Sequence, residues 1–107
     1  MISTHILDLQ SGQPASGVEV ILLKKSDGKW AEVQKTSTNS DGRIAFQADA
    51  EAGIYQLNFQ IENYLKRQKM TPFFLDTQIN FQITDTQRKY HVPLLLSPFG
   101  FSTYRGS

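Results

Sequence analysis

The segment Tyr55-Gln56-Leu57-Asn58-Phe59-Gln60-Ile61 decides the fold class. Apolar and polar side chains alternate along it without a break, so its apolar residues share one face, as in a strand that covers a core on one side. The segment Ile79-Asn80-Phe81-Gln82-Ile83 repeats this alternation further along the chain. The period of two residues predicts an all-β fold.

Six other segments also have the character of strands. They alternate in polarity or are rich in β-branched and aromatic side chains. They cover residues 4–8, 18–23, 30–35, 43–47, 90–96 and 100–104. Turn signals such as Asp27-Gly28 and Asp41-Gly42 separate them, because glycine accepts positive φ and aspartate bonds nearby main-chain N–H groups. Eight short strands separated by such turns predict a sandwich or a barrel.

One segment departs from this pattern. Residues 62–70 are rich in helix formers and precede Pro72, so we expect one short helix of about two turns there. The chain has 107 residues, which is enough for one domain, and we expect that domain to span residues 1–107.

Composition narrows the classes of partner. Eleven Lys and Arg residues are balanced by ten Asp and Glu residues. Because nucleic-acid binding needs a concentrated basic surface, this near balance argues against a nucleic-acid partner. The chain contains no cysteine, so it has no disulfide and no thiolate site. Its longest apolar run, around residues 92–96, is far shorter than the roughly 20 residues of a membrane helix. With no leader pattern at the N-terminus, we expect a soluble cytoplasmic protein, although a leader removed beforehand would leave no trace.

Three side chains are candidates for chemistry. His5 and His91 are the two histidines, and a lone histidine in a strand is more often structural than functional. As functional groups they would be general bases or metal ligands. No third ligand with recognisable spacing accompanies them, so we favour the general base. Arg43 opens a strand, where an arginine is usually a solvated charge, but its planar donors also suit an anion or a carbonyl.

The C-terminal tail is unusual for a chain end. Termini are normally polar and frayed, and the simple interpretation is that the tail is a last strand that ends in a short frayed segment. This tail instead carries Phe99, Phe101, Tyr104 and Arg105, which indicates that it packs on something. In that case the carboxylate of Ser107 would be a fixed anion near the last strand.

Together, several motifs resemble a known family. The sequence is similar to the 5-hydroxyisourate hydrolases, the transthyretin-like proteins of urate breakdown, over its whole length. The motifs that carry the resemblance are Thr4-His5-Ile6-Leu7-Asp8, Gly12-Gln13-Pro14-Ala15, Asp41-Gly42-Arg43, Tyr90-His91-Val92-Pro93-Leu94-Leu95-Leu96-Ser97-Pro98 and Ser102-Thr103-Tyr104-Arg105-Gly106-Ser107. The resemblance implies a transthyretin-like sandwich of eight strands in two sheets. It also implies a homotetramer with active sites in the channel at the dimer–dimer interface.

The resemblance further implies a reaction and a set of site residues. The reaction is the hydrolytic opening of 5-hydroxyisourate to 2-oxo-4-hydroxy-4-carboxy-5-ureidoimidazoline, on the route from urate to allantoin, with no cofactor and no metal. The family's catalytic positions correspond to His5, Arg43, His91 and Ser107, and its substrate-binding positions to Tyr104, Arg105 and Gly106. The sequence departs from the family pattern in its packing residues, since Phe73-Phe74 is followed by Leu75 where proline is common, and Phe99 and Phe101 replace tyrosines.

Two other functions remain open at this point. A transthyretin-like carrier would hold a small aromatic ligand in its channel and would not need the histidines. A structural or adhesive β-sandwich would make His5, Arg43 and His91 incidental and would be a monomer without a channel. Sandwich folds host many functions, so the choice depends on the site.

Overall fold

Two β-sheets packed face to face form the fold. The structure, a computed structural model, describes residues 1–106. In chain order its elements are β1 (Ile2–Asp8), β2 (Gln13–Pro14), β3 (Glu19–Ser26), β4 (Lys29–Ser37), β5 (Arg43–Ala45), β6 (Gly53–Phe59), α1 (Ile61–Arg67), β7 (Thr77–Ile83), β8 (Tyr90–Ser97) and β9 (Gly100–Thr103).

Strand β1 lies at the centre of the first sheet. It pairs in parallel with β8 on one side, and with β2 and β5 in turn on the other. Strand β9 pairs with β8 and forms the far edge. The second sheet has the order β4-β3-β6-β7, and all its pairs are antiparallel. Because β1 and β8 come from opposite ends of the chain, their pairing unites the N-terminal and C-terminal motifs in one sheet.

The inner faces of the two sheets enclose the core. In β1 and in the first half of β3, alternating residues point inward, as the period of two predicts. The largest fully buried side chains are Tyr55, Phe59, Ile2, Ile6, Leu22, Leu57, Ile61, Leu65, Ile83, Leu94, Leu96 and Val18. The outer face of the first sheet therefore carries the intervening residues of β1, β5 and β8.

The predicted all-β sandwich with one short helix is confirmed, with differences in detail. All eight predicted strands are present, and the two residues of β2 form a further strand where a turn was expected. The helix begins at Ile61, which was assigned to a strand, because that side chain is buried in the core. It ends at Arg67 rather than at residue 70. Lys69 has a positive φ of 60° there, and its N–H and that of Met70 bond back to Lys66 and Leu65, the pattern of a helix end with a left-handed residue.

A buried hydrogen bond joins the helix to the first sheet. The hydroxyl of Tyr64 donates to the carboxylate of Asp8 at 2.8 Å, and Asp8 is 2 % exposed. The N–H groups of Gln10 and Ser11 donate to the same carboxylate at 2.8 and 3.3 Å. Burial and the neighbouring Asp8 raise the pKa of Tyr64 to about 12. The contact fixes the end of β1 and the turn that follows it.

Candidate active site

Strand pairing brings three of the four predicted catalytic side chains together on the outer face of the first sheet. His5 is paired with Arg43 across β1 and β5, and Ser3, two residues before His5, is paired with His91 across β1 and β8. Directly paired residues of adjacent strands share a face. The inward-facing neighbours Thr4, Ile44 and Val92 are buried, so these four side chains point away from the core.

A rigid turn presents Arg43 to this face. The side-chain oxygen of Asn39 accepts hydrogen bonds from the N–H groups of Asp41 and Arg43 at 2.9 and 3.0 Å. Gly42 has a positive φ of 73°, and a Cβ there would lie 2.7 Å from the main-chain oxygen of Ile6. The turn therefore needs glycine both for its conformation and for its close approach to β1. This requirement is the local reason for the sequence Asp41-Gly42-Arg43.

His91 is held on both sides. Its Nδ1 lies 2.8 Å from the hydroxyl oxygen of Ser3. On the other side, Gly106 forms an antiparallel bridge with His91, and the Gly106 N–H donates to the His91 carbonyl at 2.7 Å. A Cβ at position 106 would lie only 2.6 Å from His91 Cδ2. The tail thus continues the pairing of β9 along β8 and packs against the edge of the imidazole. This close approach requires glycine at position 106.

The surroundings keep both histidines neutral near pH 7. Burial lowers the pKa of His5, and the positive charge of Arg43 lowers it further, against smaller opposing effects of the Asp41 main chain and carboxylate. The pKa of His91 is lowered by burial, then by the positive charge of Arg43 and then by His5. A hydrogen bond with the Ser3 main chain raises it by a smaller amount. A neutral imidazole has a lone pair with which to accept a proton. The electrostatics therefore suit general-base catalysis at neutral pH.

A cavity of about 520 Å³ opens beside His91 and Arg43, and His5 is not part of its lining. We call it the His91 cavity, and it is lined by Met1, Ser3, Thr4, Asn39, Arg43, Ile44, Ala45, Lys89 and His91. The two charged side chains of this lining, Arg43 and Lys89, are both cationic. Combined with neutral histidines, they suit a polar, flat, anionic ligand and the negative charge that develops when water attacks a carbonyl.

The chain as a whole is similar to known proteins. A family model described as "HIUase/Transthyretin family" matches residues 2–106. The chain belongs to that family. A 5-hydroxyisourate hydrolase from Salmonella dublin is 44% identical over 110 residues, covering 100% of this chain and 81% of that protein.

Solved structures of the HIUase/Transthyretin family have the same fold. A 5-hydroxyisourate hydrolase from Klebsiella pneumoniae has a TM-score of 0.87 at 38% identity, covering 99% of this chain and 97% of that one. Sea bream transthyretin in complex with thyroxine has a TM-score of 0.92 at 30% identity, covering 98% and 93%. The backbone therefore resembles the hydrolase and the transthyretin alike, and the side chains of the site have to decide between them.

The remaining predicted site residues lie apart from the His91 cavity, with one exception. Gly106 contacts His91, as described above. Tyr104 and Arg105 are exposed and line a different cavity of about 160 Å³, together with Ile79 and Phe81 of β7. In the single chain they are thus not brought to His5, Arg43 and His91. The predicted role of Ser107 falls outside the described residues.

The structure adds three residues that the sequence did not single out. Ser3 binds the His91 ring, Asn39 shapes the turn before Arg43, and Lys89 lines the cavity. Alternation along β1 places Ser3 on the same face as His5, so its orientation was readable. Its contact with His91 was not, because that contact depends on a strand pairing across 88 residues.

Two further properties concern other classes of site. Among residues 1–106, no group of three or more His, Cys, Asp or Glu side chains is placed so that it would hold a metal ion. In the same part of the chain, no helix is long and apolar enough to cross a membrane.

Proposed function

We propose that this protein hydrolyses 5-hydroxyisourate to 2-oxo-4-hydroxy-4-carboxy-5-ureidoimidazoline, a step from urate towards allantoin. The observation that carries the proposal is the grouping of His5, Arg43 and His91 on one sheet face, with both histidine pKa values lowered. The 44% identity to a named 5-hydroxyisourate hydrolase over the whole chain supports the same substrate.

The reaction needs an activated water and a stabilised oxyanion. A neutral histidine accepts a proton from water as the water oxygen bonds to a ring acyl carbon of the substrate. General-base catalysis of this kind contributes roughly 10²–10⁴ in rate. Arg43 holds the substrate anion and offsets the charge that builds on the carbonyl oxygen. The ring C–N bond then breaks, the proton passes to the leaving nitrogen, and the acyl carbon becomes the new carboxylate. No electrons are transferred, so the step requires no redox cofactor.

We also propose that the protein acts as a homotetramer in the cytoplasm. Support for association comes from large apolar side chains on the surface, since Phe99 is 76% and Phe73 68% exposed. Phe73, Phe74 and Phe101 stack edge to face on this surface. Isolated monomers rarely expose contiguous apolar patches of this kind. Sedimentation or light scattering of the purified chain measures the mass and would return the monomer mass if this proposal is wrong.

The second candidate function is a small-ligand carrier, favoured by the high structural similarity to a transthyretin bound to thyroxine. The carrier does not require neutral histidines beside an arginine, which is why we place it second.

A coupled assay separates the two functions. Urate oxidase generates 5-hydroxyisourate in place, and its ultraviolet absorbance is followed with and without this protein. We expect accelerated loss of the intermediate and appearance of the ureidoimidazoline, with His91→Ala protein at equal concentration as the control. Decay at the spontaneous rate, together with tight binding of thyroxine, would establish the carrier.

A further inference from the structure

The contacts of His91 distinguish its two ring nitrogens. Ser3 faces His91 directly in the parallel pair of β1 and β8, and its hydroxyl oxygen lies 2.8 Å from Nδ1. Gly106 covers the Cδ2 edge of the ring, and its N–H bonds to the main chain of His91 rather than to the imidazole. Neither contact uses Nε2. Within residues 1–106, the side-chain hydrogen bond of His91 uses Nδ1 and not Nε2, so in this part of the chain Nε2 is left for water or substrate.

We propose that Ser3 is a positioning residue, whose hydroxyl accepts a hydrogen bond from Nδ1–H of neutral His91 and so leaves Nε2 unprotonated to take the proton of the attacking water. This inference rests on the proposed hydrolase function and names which nitrogen performs its proton transfer. The tautomer of a histidine is set by the hydrogen bond that its other nitrogen makes. Free imidazole side chains in water prefer the proton on Nε2, which would make that nitrogen a donor. An acceptor at Nδ1 therefore raises the fraction of His91 that can act as a base through Nε2.

The effect of the Ser3 main chain on His91 is also that of an acceptor. Its hydrogen bond with His91 raises the pKa of the imidazole, as expected for a carbonyl, which can only accept. A serine hydroxyl that donated to Nδ1 would instead stabilise the neutral ring only and lower its pKa.

Titratable and charged groups approach His91 from strands β1 and β5, from the residue before β8 and from the C-terminal tail. His5 of β1 and Arg43 of β5 both lower the pKa of His91, and Lys89, just before β8, lines the same cavity. Arg105 of the tail lines the other cavity. His5 and Arg43 favour the neutral imidazole, but neither side chain offers a hydrogen-bond acceptor to Nδ1, which Ser3 does. The selection is left to Ser3.

The tautomer of the wild-type protein tests the proposal without any substitution. Two-bond hydrogen–nitrogen correlation spectra of ¹⁵N-labelled full-length protein, at a pH above the His91 titration, report which ring nitrogen carries the proton. We expect a protonated Nδ1 and a bare Nε2. A protonated Nε2 would overturn the proposal. The spectrum requires no turnover, so its result is independent of whether the protein hydrolyses 5-hydroxyisourate.

Substitution of Ser3 tests the functional consequence. Ser3→Ala should lower the plateau kcat/KM about tenfold, the effect of one hydrogen bond of ordinary strength, and should shift the His91 signals towards the Nε2–H tautomer. Ser3→Thr keeps the hydroxyl and should retain most of the activity. Ser37→Ala removes an exposed hydroxyl from β4 in the other sheet and should change nothing.

The pH profile separates the two directions of the hydrogen bond. An acceptor at Nδ1 favours the imidazolium, so Ser3→Ala should move the acid limb of kcat/KM to lower pH. A limb that moves to higher pH would show that the hydroxyl donates, and would overturn the proposal. Wild-type activity in Ser3→Ala would overturn it as well. If Ser3→Ala does not fold, the tautomer seen in the wild-type spectrum and the activity of Ser3→Thr still test the proposal.

Discussion

The two faces of strand β1 place polar groups in opposite circumstances. On the inner face, the Thr4 hydroxyl donates to the Val92 carbonyl at 2.6 Å, and the Asp8 carboxylate receives three hydrogen bonds, one of them from Tyr64. On the outer face, His5 of β1 and His91 of the neighbouring strand β8 are only partly buried and have lowered pKa values. Strand β1 thus directs hydrogen-bonded, structural polar groups inward, and together with β8 it places the candidate catalytic groups on the outer face. The difference teaches that the alternation of neighbouring strands separates the groups that stabilise the fold from the groups proposed for chemistry.

The largest expected effect comes from removing the outward groups. His5→Ala, His91→Ala and Arg43→Ala should each lower kcat/KM by roughly 10²–10⁴, the usual contribution of a general base or an oxyanion partner. The unfolding midpoint should change little, because none of these side chains is in the core. The coupled assay and thermal unfolding, measured on the same preparations, check both statements. Near-normal turnover in any variant would remove that residue from the mechanism.

A smaller loss is expected from Gly106→Ala. The added Cβ would meet His91 Cδ2 at 2.6 Å, so either the tail or the imidazole has to move. A displacement of about 1 Å near reacting groups costs on the order of 100-fold in rate. Gly100→Ala is the matched control, because its Cβ would meet nothing nearer than Ser97 Oγ at 3.8 Å. Equal activity of the two variants would show that the tail does not position His91.

The inward side of the comparison is tested by Tyr64→Phe. Loss of the hydroxyl takes one donor from the buried Asp8 carboxylate and should cost about 1–3 kcal/mol of unfolding free energy. Urea unfolding measures this cost, and kcat/KM should stay near the wild-type value. Tyr55→Phe is the control, since its hydroxyl bonds to main-chain groups of the exposed Glu51, which water can satisfy. A larger cost for Tyr55→Phe than for Tyr64→Phe would contradict the structural role of the Asp8–Tyr64 contact.

The smallest expected effect concerns pH. Because the pKa values of His5 and His91 lie below the ordinary histidine value, activity should be constant above about pH 6.5 and fall only below it. Arg43 lowers both pKa values, so Arg43→Gln should raise them. NMR titration of the two histidines measures the shift without need of activity. Arg67→Gln on the helix should leave both titrations unchanged, and a downward shift in Arg43→Gln would reverse the proposed electrostatics.

Much of the fold was readable because alternation is a local property. The strands around Tyr55 and Ile79 and the short helix were predicted to within a few residues. The start of the helix at Ile61 was missed because burial in the core, not local propensity, places that residue. The two-residue strand β2 was missed because its pairing with β1 is tertiary and its sequence, Gln13-Pro14, has the composition of a turn.

The candidate site was readable only in part. His5, Arg43 and His91 were named from motifs, and the structure brings them together. Pairing between distant strands decides the rest: it places Ser3 against His91 and separates Tyr104 and Arg105 from the His91 cavity in the single chain. Neither relation has a local signal, since each depends on where the C-terminal strands lie relative to β1.

The most direct test of this account compares His91→Ala with Tyr64→Phe in one experiment, measuring turnover of 5-hydroxyisourate and the urea midpoint on the same samples. We predict that His91→Ala loses turnover and keeps its midpoint, whereas Tyr64→Phe keeps turnover and loses stability. If both variants lost turnover in proportion to their stability, or if His91→Ala remained active, the assignment of chemistry to the outer face and stability to the inner face of the first sheet would be contradicted.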